Sequence, residues 1–152
     1  PSGVINAQRI AREPGVSGLL AGTNDLRRGL SVPPDAPRSA ISLALQSIIL
    51  AARSAGIAAH DGVYNHLEDM AGLVAECEEG RQMGFDGKSI IHPSHIAPTN
   101  RAFSPTEGIV QQAQALVEAY TGGAQRYDGR MIEAMHVAEA KAIIERAERH
   151  GG

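Results

Sequence analysis

Three short segments carry the residue types that chemistry needs: Asp25 in GTNDLRRGL, His60 and Asp61 in AAHDGVYN, and Lys88 with His92 in GFDGKSIIHP. A carboxylate such as Asp25 can bind a hard cation such as Mg²⁺. It can equally cap a helix or hold a turn, roles for which aspartate is favoured, and Asp61 poses the same choice. One carboxylate makes no metal site, and local spacing supplies no second ligand. His60, His66, His92 and His95 cluster in sequence, but none forms a helical His-x-x-x-His pair, and His92 and His95 straddle a proline. Local hydrogen bonding is the simpler role for such histidines. Lys88 can act as a Schiff-base amine if desolvated, or simply pair with a neighbouring carboxylate at the start of a strand. Gly84-x-x-Gly87-Lys88-Ser89 is not a phosphate loop, because the four-residue spacer between glycines is absent and a strand, not a helix, is expected next.

The elements that must carry these residues alternate. Residues 5–12 read as the end of a helix stopped by Pro14-Gly15. Residues 16–21, VSGLLA, have strand length and lead into a turn at 22–25. Pro33, Pro34 and Pro37 mark an irregular loop. From 38 to 55 the apolar positions Ile41, Leu45, Ile48, Ile49 and Ala52 recur at helical spacing, with Gly56 at the cap. Residues 57–59 form a second strand, 67–83 a helix closed by Gly84, and 88–91 a third strand that His92-Pro93 turns away. Strand, helix, strand, helix, strand with short connections is the pattern of parallel βαβ units. In such sheets ligands bind beyond the carboxyl ends of the strands, where Asp25, His60, Asp61 and His92 lie. After Pro93 the alternation ends. Ser104-Pro105-Thr106-Glu107 reads as a capping box opening a helix to about residue 120. Tyr127-Asp128-Gly129-Arg130 reads as a turn, 133–149 as a last helix, and Gly151-Gly152 as a frayed tail. The expected organisation is residues 1–103 as one domain and 104–152 as a helical extension.

Composition bounds the function. The 152 residues are 43% hydrophobic and 20% charged, a globular balance, and can bury a core. A net charge of −3 offers no general attraction to nucleic acid or to an anionic membrane. The longest apolar run, 41–52, is broken by Ser42, Gln46 and Ser47 and is too short to span a bilayer. Cys77 is the one cysteine, so an intrachain disulfide is impossible and a reducing cytoplasm is the expected home. The chain starts at Pro1, and the expectation is that it was cut from something longer.

GFDGKSIIHPSHIAPTNRAFSPTEGIV and GGAQRYDGRMIEAMHVAEA, preceded in order by GTNDLRRGL and AARSAGIAAHDGVYN, resemble the carboxy-terminal half of the HpcH/HpaI aldolase/citrate lyase β-subunit family. The resemblance covers nearly the whole chain. It implies an α/β fold, the C-terminal part of a (β/α)8 barrel: three parallel strands with helices, then a helical lid. Three strands cannot close such a barrel. It also implies a Mg²⁺-dependent carbon–carbon lyase acting on a 3-hydroxyacid or its coenzyme A thioester, of citryl-CoA, malyl-CoA or citramalyl-CoA type. Asp25 matches the family's metal-binding aspartate, whereas the partner glutamate and a substrate-binding arginine belong to earlier strands. Glu133 stands where lidded members usually carry an aspartate that acts on a neighbouring subunit's substrate, one methylene longer here. A homo-oligomer with shared lids follows, with a small acid or acyl-CoA as partner and neither nucleic acid nor membrane. Two other readings stay open: a non-catalytic half-barrel that self-associates through its unpaired edges, and a complete short-barrel aldolase, which would need the missing half and no tail.

Overall fold

The computed structural model describes the backbone of residues 1–150 and the side chains of residues 1–148; Gly151 and Gly152 lie outside the described residues. Two compact units divide at Phe103 and Ser104.

The first unit opens with two short helices, α1 (Ser2–Ile5) and α2 (Ala7–Ala11), separated at Asn6. Its sheet has three parallel strands, β1 (Gly18–Leu20), β2 (Ala58–Asp61) and β3 (Gly87–Lys88), in that spatial order. The crossovers are α4 (Ser42–Ser54), entered through a 3-10 turn at Arg38–Ile41, and α5 (Met70–Met83). Both helices end where glycine permits a positive φ, at Gly56 (φ 68°) and Gly84 (φ 109°). The periodic residues Leu45, Ile48, Ile49 and Ala52 of α4 pack with Leu73 and Cys77 of α5, Ala59 of β2, Phe85 and Phe103. That core covers one face of the sheet. Helix α5 starts three residues later than expected because Asp69 is its cap, accepting from the Gly72 N–H at 2.9 Å.

Four sequence expectations need correction. Residues 23–25 are not a turn: Thr23–Gly29 form helix α3, so Asp25 sits in a first helical turn. The third strand ends at Lys88 rather than Ile91. Ser89 still donates to the Asp61 carbonyl at 2.9 Å, but β3 is an edge strand, and beyond that bond the chain leaves the ladder with Ile91 exposed. His92 therefore closes no strand. It caps a 3-10 turn at Pro93–His95, which leads into helix α6 (Ile96–Phe103), an element the residue pattern did not suggest.

The fourth correction falls in the second unit. Its first helix, α7 (Glu107–Ala119), is capped by Thr106, whose hydroxyl accepts from the Ile109 N–H; Ser104 is not the cap. A hairpin of β4 (Gln125–Tyr127) and β5 (Arg130–Ile132) turns through Asp128 (φ 46°) and Gly129 (φ 76°), the paired positive φ of a tight two-residue turn. Helix α8 (Ala134–His150) follows, so Glu133 lies just before it.

Candidate functional site at the strand ends

Alternation along the strands sorts the candidate residues onto two faces. Ala59 and Asp61 are fully buried toward the helices, Ala59 in the apolar core and Asp61 bonded to residues from the helical layer. Ala58 and His60 therefore face the other way, in register with Gly18 and Leu20 of β1. On that face Leu20 is 58% exposed.

On the helix side, Asp61 anchors a buried ionic network. Its Oδ1 accepts from Arg38 Nη2 at 2.8 Å and from the Gly62 N–H at 2.7 Å, and its Oδ2 accepts from Lys88 Nζ at 2.9 Å. Lys88, cross-strand partner of Asp61, is equally buried and also donates to Glu76 at 2.5 Å. Arg38 lies 3.4 Å from Glu76 and 3.3 Å from Glu79. Lys88 is thus an ion-paired lysine, and Asp61 pairs with it and with Arg38. Arg27 reaches the carbonyls of Pro33, Ala36 and Pro37, stapling the proline loop that delivers Arg38.

The first turn of α3, after β1, is fastened to the loop after β2. Asn24 and Asn65 exchange amide hydrogen bonds of 3.0 and 2.7 Å, and the Ala21 N–H donates to the His60 carbonyl at 2.9 Å. Tyr64 donates to Asp69 at 2.6 Å. That bond is the main cause of both shifts: it pushes the phenol up to about 12 and holds the Asp69 carboxyl below its ordinary value. Between these segments lies a cavity of about 240 Å³ lined by Thr23, Asn24, Arg38, Tyr64, His66 and Glu76, among others.

Asp25 stands apart. Its side chain is 80% exposed, and its Oδ1 accepts from Arg28 Nη2 at 2.8 Å. Mg²⁺ takes an octahedral shell of oxygens, commonly one or two carboxylates with waters and substrate. Asp25 fits as one such ligand, exposed in the first turn of α3 just beyond β1. Among the described residues no group of three or more His, Cys, Asp or Glu side chains gathers as a cation cage. The histidines do not converge: His95 is fully buried and bonded to the Leu67 carbonyl, His92 lies edge-on to it at 5.9 Å, and His66 packs against Tyr64.

Glu133 belongs to the second unit. Its side chain is exposed, and its N–H donates to His136 Nδ1 at 3.0 Å. Residue spacing missed Arg38, Glu76 and the Asn24–Asn65 pair. A cation beside a proline loop was the only signal for Arg38, and nothing local marks the others. Burial pushes the Cys77 thiol up, consistent with a packing role beside Thr99. Among the described residues no helix is long and apolar enough to cross a membrane.

Residues 1–93 match the family model for HpcH/HpaI aldolase/citrate lyase. The chain is 39% identical over 152 residues to a (3S)-malyl-CoA thioesterase of Cereibacter sphaeroides, covering 96% of this chain and 53% of that protein. It is 34% identical over 154 residues to the citrate lyase subunit beta of Haemophilus influenzae, covering 97% and 53%. It thus spans about half the length of the curated relatives it matches. Among solved structures, CitE from Mycobacterium tuberculosis in complex with magnesium, acetoacetate and coenzyme A superposes with a TM-score of 0.81 at 26% identity, covering 96% of this chain and 57% of that one. The open three-stranded α/β sheet is therefore a portion of a barrel-type fold, and the chain belongs to the HpcH/HpaI aldolase/citrate lyase family.

Proposed function

We propose that the protein containing this chain is a Mg²⁺-dependent carbon–carbon lyase acting on a 3-hydroxyacid or its coenzyme A thioester, in the cytoplasm. The observation that carries this reading is Asp25: an exposed carboxylate just beyond a parallel strand, in a family whose similar member CitE binds magnesium, acetoacetate and coenzyme A. When bound, a divalent cation supplies Lewis-acid stabilisation of the negative charge that develops as the bond breaks. Asp25 holds it from α3, with the other ligands coming from sequence outside this chain. Arg38, Asp61 and Lys88 hold the ends of β2 and β3, and the Asn24–Asn65 bonds hold the first turn of α3, which carries Asp25. The unit from Ser104 onward is read as a lid, with Glu133 reaching a neighbouring subunit's substrate in a homo-oligomer.

The test is Mg²⁺-dependent cleavage of malyl-CoA, citramalyl-CoA and citryl-CoA by the full-length protein. Asp25→Ala should abolish turnover, and retained turnover removes it from the site. Mixed oligomers of Asp25→Ala and Glu133→Ala subunits should recover part of the activity; no recovery removes the shared lid. The similarity to a malyl-CoA thioesterase supports a second reading, hydrolysis of the thioester, which the same assay separates by product: free malate instead of an oxoacid and acetyl-CoA. The exposed Leu20, Leu43 and Leu50 would instead suit a self-associating half-barrel. That alternative requires a natural chain of this length with no turnover.

A further inference from the structure

On the open face of the sheet, the last layer of paired residues is Leu20, His60 and Gly87. His60 is the only titratable side chain in that layer. Its ring lies over Gly87: a Cβ built there would meet His60 Nδ1 at 3.3 Å and Cε1 at 3.9 Å. The residues beside it offer no charge to that face. Asp61 and Lys88, one step along each strand, point to the helices and bond each other. Asp86, one step before Gly87, is held by Arg53 at 2.8 Å and by the Ala59 N–H at 2.9 Å. Among the described residues no hydrogen bond ties down the His60 ring. A half-buried imidazole, seated on a glycine and level with the ends of parallel strands, stands where such sheets meet their ligands and can carry a proton.

We propose that His60 is a catalytic proton carrier on the open face of the sheet, which rests on the lyase reading above. The neutral imidazole takes the proton of the substrate's β-hydroxyl as the carbon–carbon bond beside it breaks. The hydroxyl oxygen becomes the carbonyl of the released oxoacid, and the bond's electron pair passes into the thioester as an enolate. The proton on the ring then goes to the enolate carbon, which yields the second product and restores neutral His60. No oxidant or further reactant is needed. Gly87 has a positioning part, since a side chain there would press on the ring.

The test uses the full-length protein with whichever of the three thioesters it cleaves. His60→Gln should lower kcat by about 100-fold, the lower end of what a positioned acid–base group contributes, with KM changed less than about twofold. It should also remove the fall in kcat/KM on the acid side, where a protonated imidazole cannot accept the hydroxyl proton. Gly87→Ala should lower kcat in the same sense by a smaller factor. His60→Gln that keeps kcat within about threefold, with the acid limb intact, overturns the role while leaving the lyase reading standing. An unsubstituted protein that cleaves none of the thioesters overturns both. If His60→Gln does not fold, the His60 Cε1–H resonance of the unsubstituted protein decides: titration with acetoacetate and coenzyme A must move it, and a resonance that stays fixed overturns the role.

Discussion

Asp61, at the end of β2, is fully buried and shares its two oxygens among Arg38, Lys88 and a backbone N–H. Asp25, just past the end of β1, is 80% exposed with a single arginine beside it. Both lie at the end of a short apolar strand, yet one is sealed into the framework and the other stands exposed in the first turn of α3. A buried ion pair pays a desolvation penalty that an apolar pair would avoid. At Asp61 the ion pair ties β2, β3 and Arg38 together at the strand ends.

The strongest way to break the contrast is to remove one partner of the buried pair. Asp61→Ala leaves Lys88 charged and only partly compensated by Glu76, and should cost about 3–5 kcal/mol, read as a lowered urea midpoint or loss of cooperative unfolding. Lys88→Met should cost a similar amount. The double variant Asp61→Leu/Lys88→Met should cost clearly less than the two single changes together, because it leaves no orphaned charge between them. Additive losses would mean that the two residues act independently.

A smaller loss is expected at Gly62, which lets the two strand ends approach each other. A Cβ there would sit 2.5 Å from the Ala21 carbonyl oxygen and collide with the Thr23 side chain. Gly62→Ala should destabilise by about 1–3 kcal/mol, as overpacking does, and should pull the Asn24–Asn65 contact apart. An unchanged unfolding midpoint would show that the two loops move freely.

Much of this framework was legible in the residues, and the reasons it stopped are physical. The helices at 42–54 and 70–83 showed because apolar period and a closing glycine agree, and β1 and β2 because short apolar runs end in polar turns. The third strand read too long because Ile90 and Ile91 have strand propensity, while the ladder at a sheet edge ends with its last partner. Helix α6 was hidden by Pro98, which its first turn tolerates since the N–H there needs no intrahelical acceptor. Asp61 was indistinguishable from Asp25 because its partners lie 23 and 27 residues away. Lys88 was read as either a Schiff-base amine or a paired charge; the pairing holds, and which carboxylate it meets is a matter of strand register.

The Tyr64–Asp69 pair on the loop between β2 and α5 tests local order without touching either aspartate of the comparison. The phenol is raised from 10.0 to about 12, so its share of stability is complete below pH 10 and is lost as pH rises through about 12. Asp69 is shifted the other way: its share is present above its ordinary value of 3.8 and is lost as pH falls through the lowered one. Absorbance at 295 nm should show one of the three tyrosines ionising near pH 12, and Asp69→Asn should return that step toward 10. Absence of the step near 12 would place the loop in a different conformation.

The smallest effect on folding is expected at Asp25, and that smallness sharpens the contrast. An exposed pair three residues apart on a helix contributes at most about 1 kcal/mol, so Asp25→Ala should leave the unfolding midpoint nearly unchanged. The carboxylate also favours the positive N-terminal end of α3, so Asp25→Asn, which keeps the shape and removes the charge, should fall between the wild type and alanine. If Asp25→Ala instead destabilises as strongly as Asp61→Ala, the carboxylate is part of the framework and the case for it as a ligand fails. If folding is intact while Mg²⁺-dependent turnover of the full-length protein is lost, the two aspartates divide the work between them: one holds the strand ends and the other meets the ligand.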